Sequence, residues 1–147
     1  MNHLDNLVLN KFGLSKEDAT LCLNTDKNNR GHAVLGNRDC LEANKVLVKK
    51  LDDYIDVVLK GESPYMIKID VEGHEMIAFE GGTKMFERDP PKLIFAEIQH
   101  LRHEAEKKKF VDFFWSYNYT IYLVSGMKKV ERGTANLYGY DVIMVHS

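Results

Sequence analysis

Long apolar runs are what this chain most conspicuously lacks. No stretch approaches the ~18 consecutive apolar residues that a membrane-spanning helix needs, so no segment reads as a bilayer span. The opening residues, Met1-Asn-His-Leu-Asp-Asn6, carry neither the basic nor the apolar region of a secretory signal. Excess charge of one sign is missing too. The net charge is -2, which gives no electrostatic case for nucleic acid or an anionic membrane as partner. Cysteine is confined to Cys22 and Cys40, which form no metal-ligand or redox spacing. Reduced thiols are therefore expected and, if Met1 is the true start, a cytoplasmic setting. Internal repeats and low-complexity segments are also absent. What is left is 147 residues, 44% hydrophobic and 29% charged, the profile of one globular domain with a core of its own.

Within that domain the apolar residues fall into short, alternating elements. Leu7 to Phe12 reads as a strand closed by Gly13, and Ala19 to Leu23 as a second strand that pairs with it in a hairpin. Asn24 to Arg38 is rich in Asn, Asp and Gly and reads as a solvated loop. Lys45 to Lys49 is a strand. Leu51, Tyr54, Ile55, Val58 and Leu59 then follow at helical spacing, with Asp52 and Asp53 favouring the positive end of that helix and Gly61 ending it. Strands are expected over Tyr65–Val71, Lys92–Ile98, Thr120–Val124 and Asp141–Val145. Helices begin at Met76, resume from Thr83 to Arg88 after Gly81-Gly82, and run from Glu104 to Tyr117. Asp89-Pro90-Pro91 stops the second of these, because proline cannot continue a helix. Lys107-Lys-Lys109 reads as a solvated turn, Trp115 and its neighbouring Phe residues as core, and residues 125–140 as a long loop or ragged hairpin. From residue 45 onward strands and helices alternate, which predicts an α/β fold with a mostly parallel sheet. The last two strands, joined without a helix, predict an antiparallel pair at one edge.

Chemistry concentrates where the strand from Tyr65 ends. Asp70, Glu72 and Glu75 arrive together around Gly73 and His74. In open α/β sheets, ligands bind just beyond the carboxyl ends of the strands. Glu97 closes the next strand in the same way. Carboxylates ending neighbouring strands can converge, and two such groups are costly without a purpose. Asp70 and Glu97, with Glu72, could act as general base and substrate hydrogen-bond acceptor, or hold a hard divalent cation such as Mg through oxygen ligands. His74 is a further candidate base, and His100 and His103 candidate lining of a substrate mouth. The bland alternative has these acids capping helices and binding Lys68, and Glu75 at a helix start fits it best.

Three stretches together resemble the FkbM-type methyltransferases. They are Ile67-Lys-Ile-Asp-Val-Glu-Gly-His-Glu75, Phe79-Glu-Gly-Gly82, and the strand Pro91-Lys-Leu-Ile-Phe-Ala-Glu-Ile98. Leu47 to Ile55, with its Leu-Asp-Asp, is similar to the family's approach to the first of these. The resemblance implies a Rossmann-like domain that transfers a methyl group from S-adenosylmethionine to a hydroxyl acceptor on a sugar or small metabolite. It makes Tyr65–Val71 the family's fourth strand and Lys92–Ile98 its fifth. It also exposes a departure. The family opens on a glycine-rich strand-turn and an acid ending its second strand, which serve the cofactor. Neither is present here, so no cofactor-binding residue is assigned. The chain is expected to be a single partial methyltransferase domain over residues 1–147, truncated so that it begins near the third strand. The competing expectation is a non-catalytic remnant or interaction module. Nothing in the sequence sets the oligomeric state.

Overall fold

A computed structural model describes residues 6–26, 29–36, 40–101, 103–133, 137 and 141–147, with side chains left out of account at 25–26 and 29–34. The chain forms β1 (Gly13–Ser15), β2 (Ala19–Asp26), β3 (Asn29–Gly36), β4 (Lys45–Lys50), α1 (Leu51–Val57) and β5 (Met66–Ile69). It continues with α2 (Glu75–Glu80), α3 (Thr83–Arg88), β6 (Leu93–Ala96), α4 (Glu104–Ser116), β7 (Tyr119–Leu123), β8 (Lys128–Lys129) and β9 (Val142–His146). These strands make two sheets, ordered β1-β4-β2-β3 and β5-β6-β9-β7-β8.

The second sheet keeps the expected parallel pair and the antiparallel strands beside it, but three of its four pairings among the described residues are antiparallel, so it is not mostly parallel. β5 and β6 run parallel, with Ile69 beside Ala96, so Asp70 and Glu97 leave the sheet at the same edge. β9 pairs antiparallel with both β6 and β7, which supplies the antiparallel pair on that side of the sheet. Ile94, Ile121 and Met144 are fully buried at its centre. Aromatic rings fix the helices to it. Phe79 of α2 and Phe86 of α3 meet Phe114 of α4 edge-on at 5.0 and 5.9 Å between centroids. Such rings bury large apolar areas and prefer this T-shaped contact.

The first sheet departs from the sequence reading. Residues 6–12 form no strand, and the strand there starts at Gly13 instead of being closed by it. β1 pairs in parallel with β4 and makes no hairpin with β2. β2 instead pairs antiparallel with β3, which lies within the stretch expected to be loop. The polar residues of that stretch hid the strand, because a ladder is set by backbone pairing as much as by side-chain alternation. β4 belongs to this sheet and not to that of β5 and β6, so the strands from residue 45 onward do not share one sheet. Lys107, Lys108 and Lys109 lie in α4, where Lys108 and Lys109 face solvent as expected but Lys107 is fully buried with its Nζ 3.5 Å from Glu104. Trp115 is only partly buried.

Cys22 and Cys40 also reverse an expectation, since they form a disulfide with their Cα atoms 5.9 Å apart. The sequence spacing gave no sign of it, because β2 and the segment after β3 meet only once the sheet has formed.

The sheets meet at a cleft of about 400 Å3 lined by Gly13, Leu14, Tyr54, Ile67, Ile69 and Asp70, among others. β1 and β5 both border it, and each is the last strand of its sheet. Close backbone approach holds the sheets together beside it. A Cβ on Gly81 would stand 2.0 Å from the Ser15 carbonyl oxygen, and one on Gly82 would stand 2.8 Å from Leu51 Cδ2. Glycine at 81 is thus a packing requirement, whereas the Leu51 side chain beside Gly82 can shift.

Asp52 acts on a different helix from the one its sequence position suggested. Its buried carboxylate accepts hydrogen bonds from the backbone N–H groups of Lys84 (3.2 Å) and Met85 (3.1 Å), capping α3. Asp53 is exposed. Asp52→Ala should cost about 1–3 kcal/mol by orphaning two donors, whereas Asp53→Ala should stay within about 0.5 kcal/mol. Urea unfolding of the two variants measures the contrast, and equal losses would contradict this role for Asp52.

Candidate active site

The turn after β5 is tied down by one carboxylate. Glu75 is buried at the start of α2, and its Oε1 accepts from the N–H groups of Val71 and Gly73, both at 3.1 Å. The backbone between takes the left-handed conformation at Glu72 (φ 54°) and Gly73 (φ 96°). Glycine suits that conformation, and a Cβ at Gly73 would rest 3.4 Å from His100 Cβ. Glu75 is thus structural, but it does not cap α2 as its position suggested; its carboxylate shapes the preceding turn that carries Glu72.

Around this turn stands an acid edge. Lys68 reaches from β5 toward Asp70 Oδ2 (3.5 Å) and Glu97 Oε1 (3.9 Å), placing one ammonium between two carboxylates. Its Nζ also lies 5.9 Å from the centre of the Phe95 ring. Glu72 pairs with His100 at 2.5 Å, linking the β5 turn to the segment after β6. Asp70, Glu72 and Glu97 therefore come to one edge of the sheet, with His100 beside them. His103 lies apart at the start of α4, where its N–H donates to Glu106.

Asp141 belongs to the same edge and was not singled out from the sequence. It directly precedes Val142, the partner of Ala96, so it stands across from Glu97. The signal was available. An antiparallel strand beside β6 must begin where β6 ends, and Asp141 opens the strand expected over Asp141–Val145. Asp141 Oδ1 is buried without a hydrogen-bond partner among the described residues. Partial desolvation, then the charges of Asp70 and Asp141, hold the Glu97 carboxyl above its usual range, against the opposing pull of Lys68.

The edge does not assemble a metal centre. No group of three or more His, Cys, Asp or Glu side chains among the described residues could hold an ion. The Lys68 ammonium supplies positive charge between Asp70 and Glu97, where a cation would have to bind. The donor set therefore does not fit the expected divalent cation.

His74 is placed differently from the other candidates. It is buried, and its Nε2 lies 3.4 Å from Oγ of Ser15, itself buried at the end of β1. The imidazole spans from the β5 turn to the other sheet.

A search of protein families finds the methyltransferase FkbM domain over residues 5–121. The chain belongs to the FkbM methyltransferase family. Among solved structures it is similar to methyltransferase FkbM from Methylobacillus flagellatus KT, at 16% identity and a TM-score of 0.54. At that identity the likeness speaks for the fold. The match covers 93% of this chain and 28% of the other, so these residues correspond to a fraction of that protein's length. No curated protein matches by sequence.

Burial lowers the pKa of His74 below the 6.5 of a free imidazole, with the Glu75 charge opposing. Burial likewise lowers that of His146. Below pH 6.5 the unfolded chain binds more protons than the folded one at these positions, so stability falls as pH drops from there toward the folded-state values. Chemical denaturation across that window should show this loss, and His74→Gln should reduce its slope, with the remainder from His146. An unchanged slope in His74→Gln would contradict a buried neutral His74.

Proposed function

We propose that this chain supplies the acceptor-side part of an S-adenosylmethionine-dependent O-methyltransferase acting on a hydroxyl of a small metabolite or sugar. The observation that carries the reading is the pair Asp70 and Glu97, ending adjacent parallel strands with Lys68 between them, in a chain of this family.

Methyl transfer to a hydroxyl requires the acceptor to be held in line and relieved of its proton. Glu97 suits the proton-accepting role, because its raised pKa moves it toward the operating range of a general base. Asp70, paired to Lys68, suits the role of hydrogen-bond acceptor that orients the same hydroxyl. Glu72 and His100 form a fixed pair beside them that can border the acceptor.

The bound cofactor would supply the methyl group as an electrophile. The sequence carries no glycine-rich strand-turn to cradle it. Gly73 is the glycine with positive φ in the turn after β5, and His100 borders the space beside its Cα. Backbone approach of a nucleotide needs that space open. The cofactor's contacts in this reading come from outside these residues. The second reading, a non-catalytic interaction module, is favoured by one observation, the cleft bordered by the terminal strands β1 and β5. Unpaired strand edges are ready templates for another strand.

Methyl-transfer assays on the intact polypeptide from its source distinguish the two. Glu97→Gln and Asp70→Asn should each lower kcat by about 10²–10⁴-fold. His74→Gln should leave kcat nearly unchanged at neutral pH. Full activity in both carboxylate variants would overturn the assignment of this edge.

A further inference from the structure

We propose that Asn118 is an N-glycosylation site and that this chain matures in an oxidising compartment, where Cys22 and Cys40 are joined. Asn118-Tyr119-Thr120 is an Asn-X-Thr triplet whose middle residue is not proline, the acceptor pattern for asparagine-linked glycans. The fold leaves the acceptor at the surface. α4 ends at Ser116, and Asn118 stands exposed in the turn that leads into β7. Its φ is 61°, the left-handed position after a helix where glycine or asparagine is favoured. The backbone carbonyl of Asn118 accepts from Ser147 Oγ at 3.5 Å. Its carboxamide makes no hydrogen bond among the described residues. The side chain borders an open polar cleft of about 560 Å3 whose walls include Trp115, Thr120 and Arg132. A first sugar on Nδ2 would find there a partly buried indole and hydrogen-bonding groups.

Topology keeps a glycan away from the acid edge. β7 is antiparallel to β9, which is antiparallel to β6, so β7 runs in the direction of β6. Asn118 precedes β7 and therefore lies at the end of the sheet opposite to Asp70 and Glu97. A bulky chain at Asn118 would leave the carboxyl edge open to an acceptor.

The disulfide is the second, independent observation. Cys22 of β2 is bridged to Cys40, 18 residues on in the segment after β3, in a part of the fold that does not include Asn118. Disulfides persist in secreted, lumenal and periplasmic proteins and are rare where glutathione keeps thiols reduced. An exposed acceptor asparagine after α4 and a cystine elsewhere in the chain call for the same compartment.

The chemistry balances with two co-reactants. Asn118 Nδ2 forms a bond to C1 of an oligosaccharide carried on a lipid diphosphate. The C1–O bond to the diphosphate breaks, the lipid diphosphate leaves with the electron pair, and Nδ2 gives up one proton. The two thiols lose two protons and two electrons to the disulfide of a protein oxidant, which becomes a dithiol.

Peptide mass spectrometry of the native protein, isolated from its source in the presence of a thiol alkylator, tests the proposal. Glycan release by peptide amidase in heavy-oxygen water should convert residue 118 to labelled aspartate, and Cys22 and Cys40 should appear as a linked peptide. Asn118→Gly, which suits the left-handed backbone, and Thr120→Ala should each abolish the glycan, whereas Thr120→Ser should retain it. An unmodified Asn118 in the native protein overturns the proposal, whatever the state of the cysteines.

Discussion

The carboxylate of Glu75 is the interaction on which the geometry of the acid edge depends. Two backbone donors, from Val71 and Gly73, converge on its Oε1 beneath the turn after β5. That pair holds Glu72 and Gly73 in left-handed backbone, and the position of Glu72 sets its pairing with His100. The same turn carries His74 toward Ser15 of the other sheet. One buried acid thus links strand end, helix start and sheet-to-sheet contact. Its placement explains why an acidic stretch after an apolar strand is more than a solvated loop. One member of the group organises the backbone, and the others are left at the surface to interact.

Electrostatics then sorts those remaining acids. Asp70, Glu97 and Asp141 would repel one another as bare carboxylates, and Lys68 offsets part of that repulsion at 3.5 and 3.9 Å from Asp70 and Glu97. Shared positive charge from a fixed ammonium differs in consequence from a bound metal. It leaves the carboxylate oxygens free to accept hydrogen bonds, and it leaves a proton acceptor of raised affinity in Glu97. That balance suits proton removal from a hydroxyl better than Lewis-acid activation, and it is the physical basis of the proposed acceptor-side role.

Much of the second sheet was legible in the sequence, because its strands are short apolar runs whose ends are marked by Asp70, Glu97 and Pro91. α4 was legible from Phe110, Phe113 and Phe114 on one face. The first sheet was not. β3 contains Asn29, Arg30 and Gly31, residues that usually signal a loop, and it exists because β2 offers a backbone ladder. The disulfide and the role of Asp52 stayed hidden for a related reason. Both depend on partners, Cys40 and the start of α3, that are brought close only by tertiary packing. Asp141 could have been found, since its place follows from antiparallel pairing alone.

In the proposed reading this chain holds the groups that handle the acceptor, and the cofactor's contacts come from elsewhere in the polypeptide. Titration calorimetry of S-adenosylmethionine into isolated residues 1–147 tests that division most directly. The account predicts no saturable heat at millimolar cofactor, and saturable binding once a glycine-rich strand-turn segment is joined upstream. Saturable binding by residues 1–147 alone would contradict it.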